Sequence, residues 1–273
     1  MERALILGCG YVGKAVAKVW ETRGVWVTAT TTRTERLEEL KAIAHHATIA
    51  RGDDAETLQT LLENQDMVLV SVGAPRSDVY AETYLKTAET LALVLPHTSV
   101  QQVIYTGSYA VYGDRQGAWV TEETPVQPAN PNGEILHATE QMLLSTRTEQ
   151  RRVCVFRLGG IYGPGRELVR IFGRAAGSTR PGDGSDASNW VHLDDIVGAI
   201  DFARSHHLDG TYNLVQDNPP TMKDLLNSVM NAHGLAPVIW EPTQTSTRPY
   251  NARVSNQKLK AAGYSFIHTA LEY

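Results

Sequence analysis

The sequence predicts an α/β fold, a doubly wound parallel sheet followed by a small carboxyl-terminal substrate lobe. Three observations carry that expectation. Short aliphatic or β-branched runs alternate with helical patterns through residues 1–160. The first run opens directly into a glycine-rich turn and an amphipathic stretch. After Gly159 the rhythm breaks into a region rich in Gly, Pro and Ser over 163–188.

The runs, in order, are Ala4–Leu7, Val25–Thr30, Ala47–Ala50, Met67–Val72, Val103–Thr106 and Val153–Leu158. Near-continuous apolar strands joined by helices imply a parallel sheet covered on both faces and wound right-handed. Beyond Gly159 come a short strand and helix over Trp190–Ser205, a strand at Thr211–Val215 and a helix from Thr221. A last helix is expected in VSNQKLKAAGY, with Ser255 as its N-cap and Gly263 as its stop. The expected division is a nucleotide-binding domain over 1–160, to which 189–207 returns, and a lobe built from 161–188 and 208–273.

Composition bounds the partner classes. The chain has 273 residues, 42% of them hydrophobic and 20% charged, with a formal charge of −5 and no basic run. A basic footprint for nucleic acid is missing, so a small-molecule ligand is expected. No apolar run reaches the roughly 18 residues of a membrane span, and the amino terminus carries no charged leader before its first strand. Cys9 and Cys154 sit in apolar, strand-like contexts far apart in sequence, which suits a reducing compartment. The expected location is cytoplasmic. HExxH, paired CxxC and GxSxG are all absent, leaving metal-protease and serine-hydrolase chemistry without support.

ALILGCGYVGKAVAKVW places Gly8, Gly10 and Gly13 in GxGxxG spacing between a strand and a helix. In such a turn the first glycine allows the tight bend, the second lets backbone approach a pyrophosphate, and the third lets helix pack on strand. The phosphates then meet the helix's positive end, beside Tyr11 and Val12. This is the fingerprint of an NAD(P)-binding, Rossmann-type sheet. Cofactor choice is read after the second strand, where a carboxylate would bind the ribose 2′-hydroxyl of NAD. Here stand Thr30, Thr31, Thr32 and Arg33, with no acid before Glu35. An arginine suits a 2′-phosphate, so NADP is expected, with NAD as the alternative. Asp53 is placed either to accept from the adenine amine or to cap a helix. The turn Ser71-Val72-Gly73-Ala74 is expected along the cofactor's path, with Thr106 and Leu158 at later strand ends.

VIYTGSYAVYGD (103–114), VFRLGGIYGPG (155–165) and NWVHLDDI (189–196), taken with the glycine turn, resemble the extended short-chain dehydrogenase/reductase superfamily, its NAD-dependent epimerase/dehydratase group. The resemblance spans nearly the whole chain. VYGDRQGAWVTEETPVQPANPNGE is similar to the atypical, YeeZ-like branch of that superfamily.

The resemblance implies hydride transfer at nicotinamide, with a tyrosine moving the matching proton, a lysine acidifying it and a Ser or Thr aligning the substrate. It also implies a small, nucleotide-sugar type substrate and a monomer or a dimer formed through helices Asp78–Leu95 and Glu134–Arg147. Ser108 matches the serine. Registered on Glu140, however, the tyrosine position holds Asn132 and the lysine position Leu136, and none of the eleven tyrosines begins a YxxxK. Tyr162 with Arg166 and Tyr264 with His268 are the nearest imitations. An amide is no acid and a leucine acidifies nothing.

The candidate stand-ins are Ser108, Tyr112, Glu134, His137 and His192, each with a plainer reading. Ser108 can be a cap or ribose contact, Tyr112 a packed aromatic, Glu134 a first-turn acid, His192 structural and Asp194 or Asp195 a helix cap. Two readings remain: an oxidoreductase, epimerase or dehydratase-type enzyme with a non-standard acid, or a module that binds NADP without turnover.

Overall fold

The computed structural model describes residues 1–273, in two units. The first comprises 1–108, 131–157 and 197–212. It is built on seven strands, labelled in chain order β1 (Arg3–Leu7), β2 (Trp26–Thr31), β3 (His46–Ile49), β4 (Met67–Val70), β5 (Gln102–Ser108), β6 (Arg152–Leu158) and β7 (Gly210–Leu214). Their order across the sheet is β3-β2-β1-β4-β5-β6-β7. The pairs β3–β2, β2–β1, β1–β4 and β4–β5 are parallel. The order turns back on itself between β1 and β4, so a crevice opens beyond their carboxyl ends.

β1, β2, β4, β5 and β6 read as largely buried runs because both faces are covered, while the edge strand β3 is at best half-buried. Leu5, Leu7, Val68, Val70, Val103, Tyr105, Val153 and Val155 form one core with Leu58 and Leu62 of helix Ala55–Leu62, Ala88, Leu91 and Val94 of helix Lys86–Val94, and Leu143 of helix Pro131–Leu144. Helix Tyr11–Thr22 packs on β1 and β2 through its buried Val16, Ala17 and Trp20. Burying one such large side chain stabilises by roughly 1.5–3 kcal/mol. The expected helix over 78–95 is not uniform. A 3₁₀ turn at Ser77–Val79 and a π turn at Ala81–Leu85 precede the regular helix from Lys86.

The second unit comprises 109–130, 158–196 and 213–273. Three short parallel pairs shape it: Asp114–Val120 with Asn251–Val254, Gly160–Tyr162 with Trp190–His192, and Thr179–Pro181 with Ile239–Glu241. Its core gathers Tyr162 and Leu168 against Leu225, Leu226, Val229 and Met230 of helix Met222–Ala232. Thr221 caps that helix by accepting from the Asp224 amide at 3.1 Å. The last helix runs Gln257–Ala261 and its N-cap is Asn256, one residue beyond the expected Ser255. Ser255 instead accepts from the Gln257 amide at 3.3 Å through its hydroxyl, and Gly263 lies past the helix at φ +105°.

Candidate functional site

The glycine turn is drawn tight by β4 and β2. Gly8 sits at φ +85°, and a methyl group there would lie 2.8 Å from the Val72 Cα and 2.9 Å from the Ser71 carbonyl oxygen. Gly13 is nearly as crowded, 3.0 Å from the Ile6 side chain. Gly10 differs, because nothing approaches its missing Cβ closer than the Gly8 oxygen at 4.0 Å. That open space is what a pyrophosphate cradle requires. Thr30 wires the turn in place, its hydroxyl donating to the Ile6 carbonyl and accepting from the Gly8 amide, both at 3.1 Å. The Ser71 amide donates to Leu7 at 2.9 Å, closing β4 against β1. Helix Tyr11–Thr22 carries no side-chain cap and no acid in its first turn, so nothing anionic competes at its positive end. Tyr11 opens it half-buried and Val12 is buried.

At the end of β2, Thr31 is buried and Thr32 and Arg33 are exposed. Arg33 has only a loose partner, Glu35 at 3.9 Å. A second arginine, outside the motif's own positions, lies closer to the turn: Arg36 donates from Nη2 to the Cys9 carbonyl at 2.9 Å. The Cys9 thiol beneath is pushed up to about 12 by burial. After β3, Asp53 is gripped by Arg51 through two hydrogen bonds of 2.9 Å, which hold its carboxyl below the usual range. Helix capping falls to Asp54, which accepts from the Thr57 amide at 3.0 Å. Past β4, Val72 is half-buried, Gly73 is exposed with open space around it, and the Ala74 amide donates to the Tyr84 hydroxyl at 3.3 Å.

Further along the sheet, Thr106 donates to the Val70 carbonyl at 3.3 Å and Ser108 ends β5 half-buried. Leu158, expected at the cofactor, is buried at the end of β6. Helix Pro131–Leu144 presents Asn132 half-buried and Leu136 buried, so the lysine position is filled by core packing. One turn beyond Leu136, Glu140 is fully buried and clasps Arg157 at 2.8–3.2 Å. His137 stands 3.8 Å from the same carboxylate, while Glu134 is an exposed first-turn acid.

Two stand-ins lie in the second unit. Tyr112 is fully buried and its hydroxyl donates to Asn213 at 2.8 Å, which makes it a packing residue with its proton committed. His192 is buried edge-on against Tyr162, with ring centroids 5.0 Å apart. The neighbouring aspartates do not cap from outside the helix, since Asp194 and Asp195 already lie in the first turn of Leu193–His206. Asp195 instead accepts from the amides of Ile267 at 2.6 Å and His268 at 3.1 Å, clasping the carboxyl-terminal segment. The His268 ring lies tilted against His192, with centroids 3.7 Å apart, and reaches Glu272 at 2.6 Å and Asp194 at 3.1 Å.

This histidine pair should split in titration. Burial lowers His268, but its bonds to Glu272 and Asp194 outweigh that and raise it; burial and the neighbouring His268 lower His192. His268 therefore contributes stability below its ordinary value of about 6.5, lost as pH rises through the raised folded value. His192 works oppositely, costing stability as pH falls below about 6.5. NMR titration of the ring protons is expected to give His268 above and His192 below that value. Coincident midpoints would contradict the clasp.

A glycine turn at the switch point of a doubly wound parallel sheet defines a dinucleotide-binding protein. Residues 4–214 match the NAD dependent epimerase/dehydratase family, and the chain belongs to that family as an NAD(P)-binding protein of short-chain dehydrogenase/reductase type. Protein YeeZ of Escherichia coli (strain K12) is 32% identical over 205 residues, covering 73% of this chain and 72% of that protein. dTDP-glucose 4,6-dehydratase of Streptomyces antibioticus is 26% identical over 214 residues, covering 71% and 64%. Among solved structures, dTDP-glucose 4,6-dehydratase from Bacillus anthracis in complex with NAD superposes with a TM-score of 0.81 at 19% identity, over 98% of this chain and 93% of that one. A functionally unknown conserved protein from Silicibacter pomeroyi gives 0.80 at 24% identity, over 99% and 95%. No helix is long and apolar enough to cross a membrane.

Proposed function

We propose that this protein binds NADP(H) in preference to NAD(H) and works on a nucleotide sugar or a similarly phosphorylated small molecule, with an acid other than the family's tyrosine. The observation that carries the cofactor choice is the end of β2, which presents Arg33 and Arg36 and no carboxylate before Glu35. Arg33, exposed and loosely paired, is free to take a 2′-phosphate. Arg36, anchored on Cys9, keeps a second positive charge beside the turn. NADP(H), when bound, would supply the hydride chemistry; Gly8, Gly10 and Gly13 would hold its pyrophosphate, and Ser108 would hold a substrate oxygen.

For the substrate, the second unit offers Arg248. Its guanidinium lies over the Tyr250 ring at 5.7 Å, and its Nη1 is buried without a hydrogen-bond partner. A buried, unsatisfied guanidinium N–H is costly and is well matched to a phosphate oxygen. Relatives named as dTDP-glucose dehydratases and a UDP-glucose 4-epimerase support the same class. A second reading, cofactor binding without turnover, is favoured by the burial of Leu136 where an ammonium would be needed.

Titration with NADPH and NADH, read by quenching of protein fluorescence, tests the cofactor. Arg33→Ala is expected to weaken NADPH by roughly 10- to 100-fold, the equivalent of a hydrogen bond to a charged group of about 1.5–3 kcal/mol, and to leave NADH unchanged. Tighter NADH binding by the unaltered protein would overturn the assignment. Turnover of UDP-glucose or dTDP-glucose by the NADP-loaded protein separates the enzyme from the binding module.

A further inference from the structure

We propose that the second unit carries a saccharide-binding pocket on Trp119, taking the neutral pyranose ring of a glycoside. A cavity of about 400 Å³ opens there, lined by Trp119, Asp217, Asn218, Asn256, Gln257 and Lys260. Its volume lies within the range of small-ligand sites. Trp119 stands at the end of strand Asp114–Val120, paired in register with Arg253, and is 56% exposed. An indole left this open on a strand otherwise tied into the unit is a platform awaiting a partner. Its π face is negative, and the C–H face of a pyranose is apolar with slightly positive hydrogens, so the two are complementary.

The polar half of the pocket is held in a fixed array. Lys260 reaches both oxygens of Asp217, at 2.6 and 2.7 Å. Asn256, 3% exposed, donates to the same carboxylate at 2.8 Å and to the Val215 carbonyl at 2.9 Å. A carboxylate, an ammonium and planar amides side by side match the alternating donor and acceptor demand of neighbouring hydroxyls. The ion pair balances its own charge, which favours a neutral sugar over a sugar acid or a phosphate. Asn218 sits on the rim in the left-handed region, at φ +51°.

The test is saturation-transfer NMR on the full chain with methyl β-D-glucopyranoside and methyl β-D-galactopyranoside. Saturable binding with Kd on the order of 1–10 mM is expected for at least one of them, with transfer strongest at ring C–H protons. Trp119→Ala should weaken it at least about tenfold, the equivalent of roughly 1.4 kcal/mol, while Trp119→Phe keeps most of it. Because Trp119 is exposed, both variants should fold, and unchanged NADPH affinity in them checks this separately from the cofactor reading. Displacement of the glycoside by UDP-glucose would identify a nucleotide sugar as the source, and no displacement a free glycan; both uphold the pocket. Failure of both glycosides to bind saturably, or Trp119→Ala binding like the unaltered protein, overturns the proposal.

Discussion

Gly8→Ala is expected to cost the protein both stability and cofactor, with the melting temperature falling by roughly 5–20 °C. The added methyl would meet three backbone atoms, the Val72 Cα at 2.8 Å and the Ser71 oxygen and Val72 nitrogen at 2.9 Å. None of these can swing aside as a side chain would. An alanine at φ +85° adds about 1–2 kcal/mol of left-handed strain, and overpacking about 1–3 kcal/mol. The turn can relax only by moving β4 away from β1, which breaks the bond from the Ser71 amide to Leu7 and spoils the crevice. Gly10→Ala is the control. Its Cβ meets nothing nearer than 4.0 Å, so melting should move by no more than a couple of degrees while NADPH binding falls at least tenfold. Equal melting loss in the two variants would mean that the open space at Gly10 is not a ligand's.

The second large effect is expected at Glu140. Its carboxylate is fully buried and answers the Arg157 guanidinium at Nε and Nη2. Glu140→Ala would strand a buried guanidinium, a loss typically about 3–5 kcal/mol. Urea unfolding should report it directly. The double variant Glu140→Leu with Arg157→Leu is expected to recover most of the loss, because removing both charges also removes their desolvation. A double variant as unstable as Glu140→Ala would assign the effect to shape instead of charge. Helix Pro131–Leu144 carries Glu140 together with Asn132 and Leu136, so the ion pair fixes the helix that borders the missing tyrosine and lysine. The pair is structural where the family's catalysis would be.

The sheet was largely legible in the sequence because parallel strands covered on both faces leave an unbroken apolar signature, as MVLV and VCVF do. The glycine turn was legible because its requirement is local. What escaped depends on partners remote in sequence. In the sequence Glu140 is only a register mark, because its partner Arg157 is brought opposite it by the fold. Asp195 resembled a helix cap, yet its oxygens serve amides at 267 and 268. Arg36 lay one helical turn beyond the arginine that the motif indicates, and only the fold brings it over Cys9. Tyr112 and Arg248 show the same limit from opposite sides: one hydroxyl is committed to Asn213, one guanidinium nitrogen is left unsatisfied, and neither state is written in the adjoining residues.

The parallel pairing of Asp114–Val120 with Asn251–Val254 bears on how the chain is made. The first of these strands is synthesised between the segments that complete β5 and helix Pro131–Leu144, whereas its partner follows only after β7 and helix Met222–Ala232. Long-range parallel pairing of this kind is slow, since the intervening chain must be ordered first. β1 through β6 can therefore assemble on the ribosome while Asp114–Val120, with Trp119 at its tip, waits unpaired. A pulse of proteolysis on nascent chains arrested before Asn251 should find the segment around Trp119 open when the glycine turn is already protected.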